Sequence, residues 1–430
     1  KEEAELFGFR FITNSSTKMT ENEPPKKKMK KTKDIRMFSR RHIAFKIAYI
    51  GTNYRGFAKQ NTVSNTIEDR LFKAFRKAFL IPNDDSEIDL NYSRCGRTDI
   101  GVSSSGNLIA LNVRSNLSEG IGVIPSLHEE KIDSRTEELE YVKMLNGCLP
   151  NDIRILSFCP VETDFSARHH CHRRVYKYYF FHDGMDIEQM RLAASKFEGK
   201  HDFRNFCKID IVNVANFVRF IESINIGLCS QTHSSSNHSI EANQFYEITI
   251  KGTAFLWHQI RYMISALFLI GRRLEDPNLI DYLLNIEKCP RKPQFQMASP
   301  LPLVLFDCLF PQLTFENSLQ NQKRILRDLH LQWRQKAMES RVVEGFWQHL
   351  SLDVPSETKF YGSQLTPIPN REKSHIRLRD RKCDTSLSEK IGALHGRKLQ
   401  QYEEKVETRE RFKRSREESE QQNQSENIEL

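Results

Sequence analysis

The feature that most constrains the fold is an alternation of strand-like and helix-like segments, repeated in two halves of the chain. Ile43, Phe45, Ile47 and Tyr49 alternate with Ala44, Lys46 and Ala48, the period of a strand that buries one face. A loop from Gly51 to Phe57 leads to a helix. Asn65 and Glu68 stand at capping-box spacing, and Ile67, Leu71, Ala74, Phe75, Ala78 and Phe79 trace one apolar face. Residues 107–113 read as a strand, Ser134 and Glu137 cap a helix ending near Gly147, and Ile153 to Phe158 returns to strand. A second unit starts near Asp164. Arg174 to Phe181 is an aromatic-rich strand, and Ile187, Met190, Arg191, Ala194 and Phe197 mark a helix face. Phe245 to Lys251 is a strand, and Trp257 to Ile270 is an apolar helix stopped by Gly271. Strand, helix, strand, helix, strand in each half predicts an α+β protein of two subdomains with largely antiparallel sheets.

The polar ends fall outside that pattern. Residues 1–41 read as a disordered basic tail, with nine Lys or Arg between Lys26 and Arg41 against one Asp. Such a run suits a solvated tail, a nuclear-import signal or an RNA-steering arm. Residues 42–162 and 163–312 form the two expected subdomains, with a polar insertion from Arg114 to Arg135. Residues 313–430 read as a charged, helix-prone extension, disordered from about Glu403. The formal charge of +9 suits a polyanionic partner. No apolar run reaches membrane-spanning length, so no membrane partner is expected. The nine Cys residues include no C-x-x-C pair, which predicts reduced thiols in the nucleus or cytoplasm. His169-His170-Cys171-His172 suggests a metal site, but in an extended segment at most two of these side chains face one ion. No second cluster stands at zinc spacing, so no metal is expected.

The chemistry is concentrated in Arg94-Cys95-Gly96-Arg97-Thr98-Asp99-Ile100-Gly101-Val102-Ser103-Ser104, a loop entering a strand. Taken alone, an Asp before a Gly turn ordinarily satisfies backbone donors. Its company changes that reading. Gly51-x-x-Tyr54-x-Gly56-Phe57-x-x-Gln60 followed by Arg97-Thr98-Asp99-x-Gly101-Val102 resembles the TruA family of tRNA pseudouridine synthases. The resemblance continues in order through Phe165-x-Ala167-Arg168, Arg174-Val175-Tyr176-Lys177-Tyr178 and Gly199-x-His201-Asp202-Phe203-x-x-Phe206. It ends with Gly252-x-Ala254-Phe255-Leu256-x-His258-Gln259-x-Arg261 and Ala298-Ser299-Pro300-Leu301-Pro302-Leu303, where Pro302 replaces the family's Gly. Together the segments span about residues 43–312. Ser103-Ser104 in place of His-Ala, and the distinctive Asn205 to Asp210 turn, are similar to the eukaryotic branch that modifies tRNA positions 38 and 39.

The resemblance implies a pseudouridine synthase fold whose subdomains flank a basic RNA-binding cleft. It implies an isomerisation needing no small-molecule cofactor, and the chain has neither a P-loop nor a Gly-x-Gly-x-x-Gly turn. Asp99 takes the position of the catalytic carboxylate, either adding to C1′ of the ribose or removing a proton from C2′. Arg261 takes the place of its cationic partner, and Arg97 that of the residue guiding the flipped uridine. Tyr176 takes that of the ring stacked on uracil, with a hydroxyl placed to assist loss of the C5 proton. Leu303 matches an apolar residue against the base, and Arg168 and Lys208 would line the RNA cleft. The expected partners are the tRNA anticodon stem-loop and, from the bacterial relatives, a second copy of the chain. Three other readings stand beside it: an idle RNA-binding protein on the same scaffold, a sister synthase acting elsewhere on tRNA, and a retaining glycosidic-bond hydrolase. The last needs two close carboxylates; no partner acid sits near Asp99 in the sequence, which leaves Asp202 as the candidate that only the fold can test.

Overall fold

The computed structural model describes residues 35–60, 62–83, 89–126, 137–214, 216–229, 244–351, 375–408 and 410–411. The basic tail before residue 35 and the end past residue 411 lie outside the described residues, as does Ser134. Among the described residues ten strands form one mixed sheet: β1 Arg40–Tyr49, β2 Ser93–Arg94, β3 Ser103–Arg114, β4 Val123–Ile124, β5 Ile153–Pro160, β6 Arg173–Phe181, β7 Gly199–Asp202, β8 Val218–Leu228, β9 Phe245–Gly252 and β10 Leu303–Leu309. The strand order is β4-β1-β3-β10-β6-β9-β8-β7, with β5 also pairing β1 and β2 pairing β3. Every pairing is antiparallel except the short β3–β10 contact, where Ser103 and Ser104 face Val304 and Leu305. β10 therefore joins the halves: parallel to β3 on one side, antiparallel to β6 on the other.

Each half has its own core. In the first, Ile43, Phe45, Ile47 and Tyr49 of β1 pack with Ile67, Leu71 and Phe75 of α1 (Ile67–Lys77) and Tyr141 of α2 (Tyr141–Asn146). Ala44, on the opposite face of the same strand, joins a smaller cluster with Leu108, Phe165 and Leu305. That split is the period-two alternation read from the sequence. In the second half, α3 (Ile187–Ser195), α4 (Gln259–Gly271) and α5 (Asn278–Leu284) cover β6, β8 and β9. Nearly every residue of α4 is buried, as a helix apolar on all sides must be. At roughly 1.5–3 kcal/mol per buried Leu, Ile, Met or Phe side chain, α4 is a main anchor of this half.

Local details depart from the sequence reading. The α1 capping box is Thr66 with Asp69, one residue later than Asn65 with Glu68. Asn65 instead adopts φ +65°, which Asn tolerates better than most residues. Glu68 is buried and accepts bonds from Lys59 N (2.7 Å), Tyr92 Oη (2.5 Å) and Arg94, so it ties β2 to α1. The helix expected from Ser134 starts only at Tyr141. Glu138 is drawn off to accept Ser115 Oγ (2.9 Å) and Arg41 Nη1 (3.1 Å). That Arg41 contact also explains why β1 begins at Arg40, inside the stretch expected as tail. Residues 397–408 are helical, past Glu403 where disorder is expected. Lys405 Nζ docks this segment on Val212 O (2.7 Å) and Asn213 Oδ1 (3.0 Å).

Candidate active site

Asp99 lies in the loop between β2 and β3, and the 51–57 segment serves as its buttress. Phe57 N donates to Thr98 O (3.0 Å), Gly101 N to Tyr54 O (3.4 Å) and Gly51 N to Ser103 Oγ (3.0 Å). Tyr49 Oη and Thr98 Oγ1 are 2.8 Å apart in the core. The same buttress meets the start of α1, where Ile67 N and Glu68 N donate to Gly56 O and Phe57 O. Gly51 is dictated by close approach: a Cβ there would lie 2.0 Å from Val102 O. Gly101, at φ +81°, lets the chain reverse into β3 after Val102 N closes a turn on Asp99 O (3.2 Å). The first motif of the sequence is thus a two-layer loop that holds one carboxylate.

The second half supplies the facing wall. Arg261 Nη1 stands 3.5 Å from Asp99 Oδ2, and His258 Nε2 stands 3.4 Å from the same oxygen. Both lie at the start of α4, where the helix dipole also favours negative charge. Arg261 is clamped by reciprocal bonds: its Nε donates to Ala298 O (2.8 Å), and Ala298 N donates to Arg261 O (3.2 Å). The closing Ala298-Ser299-Pro300 segment therefore orients the arginine, while Pro300 and Leu301 pack on Gly101. Arg261 and His258 are 13% exposed and Asp99 is 23% exposed. The pair is withdrawn from bulk water yet reachable, so salt screens it less than a surface ion pair while desolvation offsets part of its Coulomb attraction. The Arg261 contact at 3.5 Å is a charge contact at the outer limit of hydrogen bonding.

His258 is a site residue that the sequence reading passed over. Its signal was spacing: three residues before Arg261, it shares that residue's face of the chain. Burial lowers its pKa, and the positive charges of Arg261, Lys208 and Lys292 push the same way against the opposing pull of Asp99. His258 is therefore the neutral neighbour of the carboxylate at pH 7, and Arg261 carries the charge. Two buried polar atoms, His258 Nδ1 and Tyr178 Oη, have no hydrogen-bond partner among the described residues. Tyr178 lies within the field of Arg261.

The remaining expected residues fall at different depths. Tyr176 sits on β6 opposite Leu305 and Ile250, edge-on to Phe255 with ring centroids 5.1 Å apart. Burial raises the pKa of its hydroxyl, so at neutral pH that group is a donor rather than a base. Arg97 is exposed, two residues before Asp99. Lys208 is exposed with its Nζ 4.4 Å above the Trp257 ring, adjacent to His258. Arg168 is exposed, and its carbonyl accepts Arg174 Nη2 (3.1 Å). Leu303 is 4% exposed in the core, paired with Tyr178; Leu301 is the exposed apolar residue over Gly101. Asp99 and Arg261 are brought into contact, and Tyr176 packs against Phe255.

A family model described as tRNA pseudouridine synthase matches residues 193–311, the half that carries Arg261. The chain is 42% identical over 337 residues to a human tRNA pseudouridine(38/39) synthase, covering 78% of this chain and 69% of the human one. It is 36% identical over 385 residues to a probable tRNA pseudouridine synthase of Caenorhabditis elegans, covering 86% and 93% of the two chains. Against the tRNA pseudouridine(38/39) synthase of Saccharomyces cerevisiae the identity is 40% over 312 residues, covering 70% and 66%.

Proposed function

The chain belongs to the tRNA pseudouridine synthases, and from that premise we propose that it isomerises uridine at positions 38 and 39 of the tRNA anticodon stem-loop, with Asp99 as the catalytic carboxylate. The reaction breaks the bond from C1′ to uracil N1, turns the base, and joins C5 to C1′. The C5 proton leaves and N1 gains one, so no redox partner or phosphate donor enters the balance. One observation carries the assignment: a partly desolvated carboxylate on a buttressed loop, 3.5 Å from a clamped guanidinium of the opposite half. Whether Asp99 adds to C1′ or takes a proton from C2′, it must be ionised and held still, and Arg261 with Ala298 serves both needs. The base must first leave its stack, at a cost of a few kcal/mol. Exposed Arg97 is the residue placed to offset part of that cost by stacking and hydrogen bonding. The orphaned Tyr178 Oη and His258 Nδ1 are donors or acceptors for the detached uracil, and Tyr176 with Phe255 offers an aromatic wall. Lys208 and Arg168 contribute to a salt-sensitive RNA surface.

The test is purified protein acting on tRNA carrying tritium at uracil C5. Release should reach two equivalents for substrates with uridine at both 38 and 39, and mapping should place pseudouridine at those positions. Tight tRNA binding without tritium release would leave only the idle-protein reading, and release from other positions would identify a sister synthase.

We also propose that the enzyme acts as a homodimer. The supporting feature is α6 (Leu319–Ser351), 33 residues and about 50 Å long. It is fastened to the core by Ile325 and by the Arg154–Asp328 pair at 3.2 Å. Along it Leu319, Leu326, Trp333 and Trp347 recur at one heptad position, and Leu329, Val343 and Leu350 at another. All seven are exposed, as in a coiled-coil seam awaiting a partner helix. Val343→Asp combined with Trp347→Glu is expected to halve the mass measured by light scattering without lowering the melting temperature of the core. A wild-type chain that elutes as a monomer would refute the seam. The basic run from Lys26 to Arg41, most of it outside the described residues, supports residence in the nucleus as well as the cytoplasm.

A further inference from the structure

Cys95, Cys171 and Cys308 come from three distant parts of the chain, yet their Sγ atoms all lie within 4.8 Å of one another. Cys95 follows β2, Cys171 belongs to the His169–His172 tract before β6, and Cys308 lies on β10 opposite Arg174 of β6. Cys95 and Cys308 are buried, and Cys171 is partly exposed at the edge of the group. A buried cysteine is often only a small apolar residue. Here, however, three converge on one point, where Ala44, Ala110 and Leu305 fill the surrounding cluster.

A second observation concerns Arg174. Its guanidinium is partly buried and bonds three backbone carbonyls: Thr253 O (2.6 Å), Arg168 O (3.1 Å) and Cys95 O (3.3 Å). No carboxylate pairs with it among the described residues, and the titratable groups that its charge acts on include the three thiols and Tyr176. A fixed positive charge beside thiols favours their deprotonated form.

We propose that Cys95, Cys171 and Cys308 form a binding site for one Zn2+ ion. Zn–S bonds are about 2.3 Å long, which places the sulfurs of a tetrahedral site about 3.8 Å apart, a spacing compatible with three sulfurs that all lie within 4.8 Å of one another. On binding, each S–H bond breaks as an S–Zn bond forms, and the protons pass to solvent. Three thiolates and Zn2+ sum to one negative charge, which the Arg174 guanidinium balances. The fourth position opens beside partly exposed Cys171, where water can complete the tetrahedron. Cys95 stands four residues before Asp99, so the ion would fasten the catalytic loop to β6 and β10.

The test uses the reduced full-length chain, titrated anaerobically with Co2+ as a spectroscopic stand-in and then with Zn2+. One equivalent of Co2+ should give sulfur-to-metal charge-transfer bands and tetrahedral d–d bands, and Zn2+ should displace it. A hydroxyl at buried Cys308 can itself unfold the chain, so Cys171→Ser carries the test. It should weaken Co2+ binding at least 100-fold while keeping the apo melting temperature. Cys148→Ser, which lies outside the trio, should bind as wild type. Equal Co2+ binding by wild type and Cys171→Ser would overturn the proposal. So would a chain that binds no Co2+ and yields a Cys95–Cys171 or Cys171–Cys308 disulfide on peptide mapping.

Discussion

Asp99→Asn is expected to lower single-turnover tritium release by about 10⁴-fold or more while leaving tRNA affinity within a few-fold. The substitution keeps the size of the side chain and removes only its charge and basicity. The loop does not depend on the carboxylate: its turn closes through Asp99 O and Val102 N, and its buttress bonds use Thr98 O and Gly101 N. Arg261 keeps its Nε bond to Ala298 O. Losing the anion leaves a guanidinium that is 13% exposed without its partner, a penalty well below the 3–5 kcal/mol of a fully buried broken pair. Circular dichroism and melting should therefore resemble wild type. Retained turnover in a folded Asp99→Asn chain would remove Asp99 from the mechanism.

Gly51→Ala is expected to disable the enzyme from a position 48 residues away in sequence. The added Cβ would fall 2.0 Å from Val102 O and 2.5 Å from Val102 C. No rotamer relieves that clash, because both atoms are backbone. Either β1 and β3 separate locally or the Asp99 loop moves, at a cost of roughly 2–4 kcal/mol. A displacement of about 1 Å in the reacting group costs about 10²-fold in rate. The expected result is a lowered melting temperature together with a loss of kcat of at least that size. Gly184→Ala is the control. Gly184, unlike Gly51, has positive φ (+71°), but a Cβ there meets nothing within 4 Å, so only about 1 kcal/mol of backbone strain is expected and no loss of activity. Equal behaviour of the two variants would mean that Gly51 has no steric role.

What could be read beforehand was whatever rests on local pattern. The faces of β1, α1 and α4 follow from residue spacing, and the Asp99 loop and Arg261 follow from ordered motifs. The capping box was misplaced by one residue, because Asn65 and Thr66 are both plausible caps and only the Asp69 contact decides between them. β8 was not recognised: its apolar positions are interrupted by Glu222, Asn225 and Gly227, and it gains strand character from pairing with β7 and β9. β10 was not recognised because Leu303 to Leu309 carries apolar residues on both faces, as a central strand does, and periodicity cannot classify such a run. His258 stands inside one of the ordered motifs, but its contact with Asp99 is not legible there because it depends on the residue's own left-handed conformation at the start of α4 (φ +65°). The cysteine trio has no local signature at all, since its members meet only through the strand order.

The insertion of β10 has a consequence for how the molecule is made. Residues 303–309 leave the ribosome after every other strand of the sheet, yet they belong between β3 and β6. Until then the nascent chain carries two finished half-sheets, each with an open edge of unpaired backbone groups. Sealing that gap pairs Ser104 with Leu305 across 201 positions, a contact of the slowest-forming kind. Arg261 and Asp99 lie on opposite sides of the gap, so their 3.5 Å contact has no fixed distance before closure. A polypeptide arrested before residue 303 would hold both residues and no assembled centre. The contact between the two halves thus depends on the last strand synthesised, and until it is seated the edges of β3 and β6 are the ones open to wrong pairing.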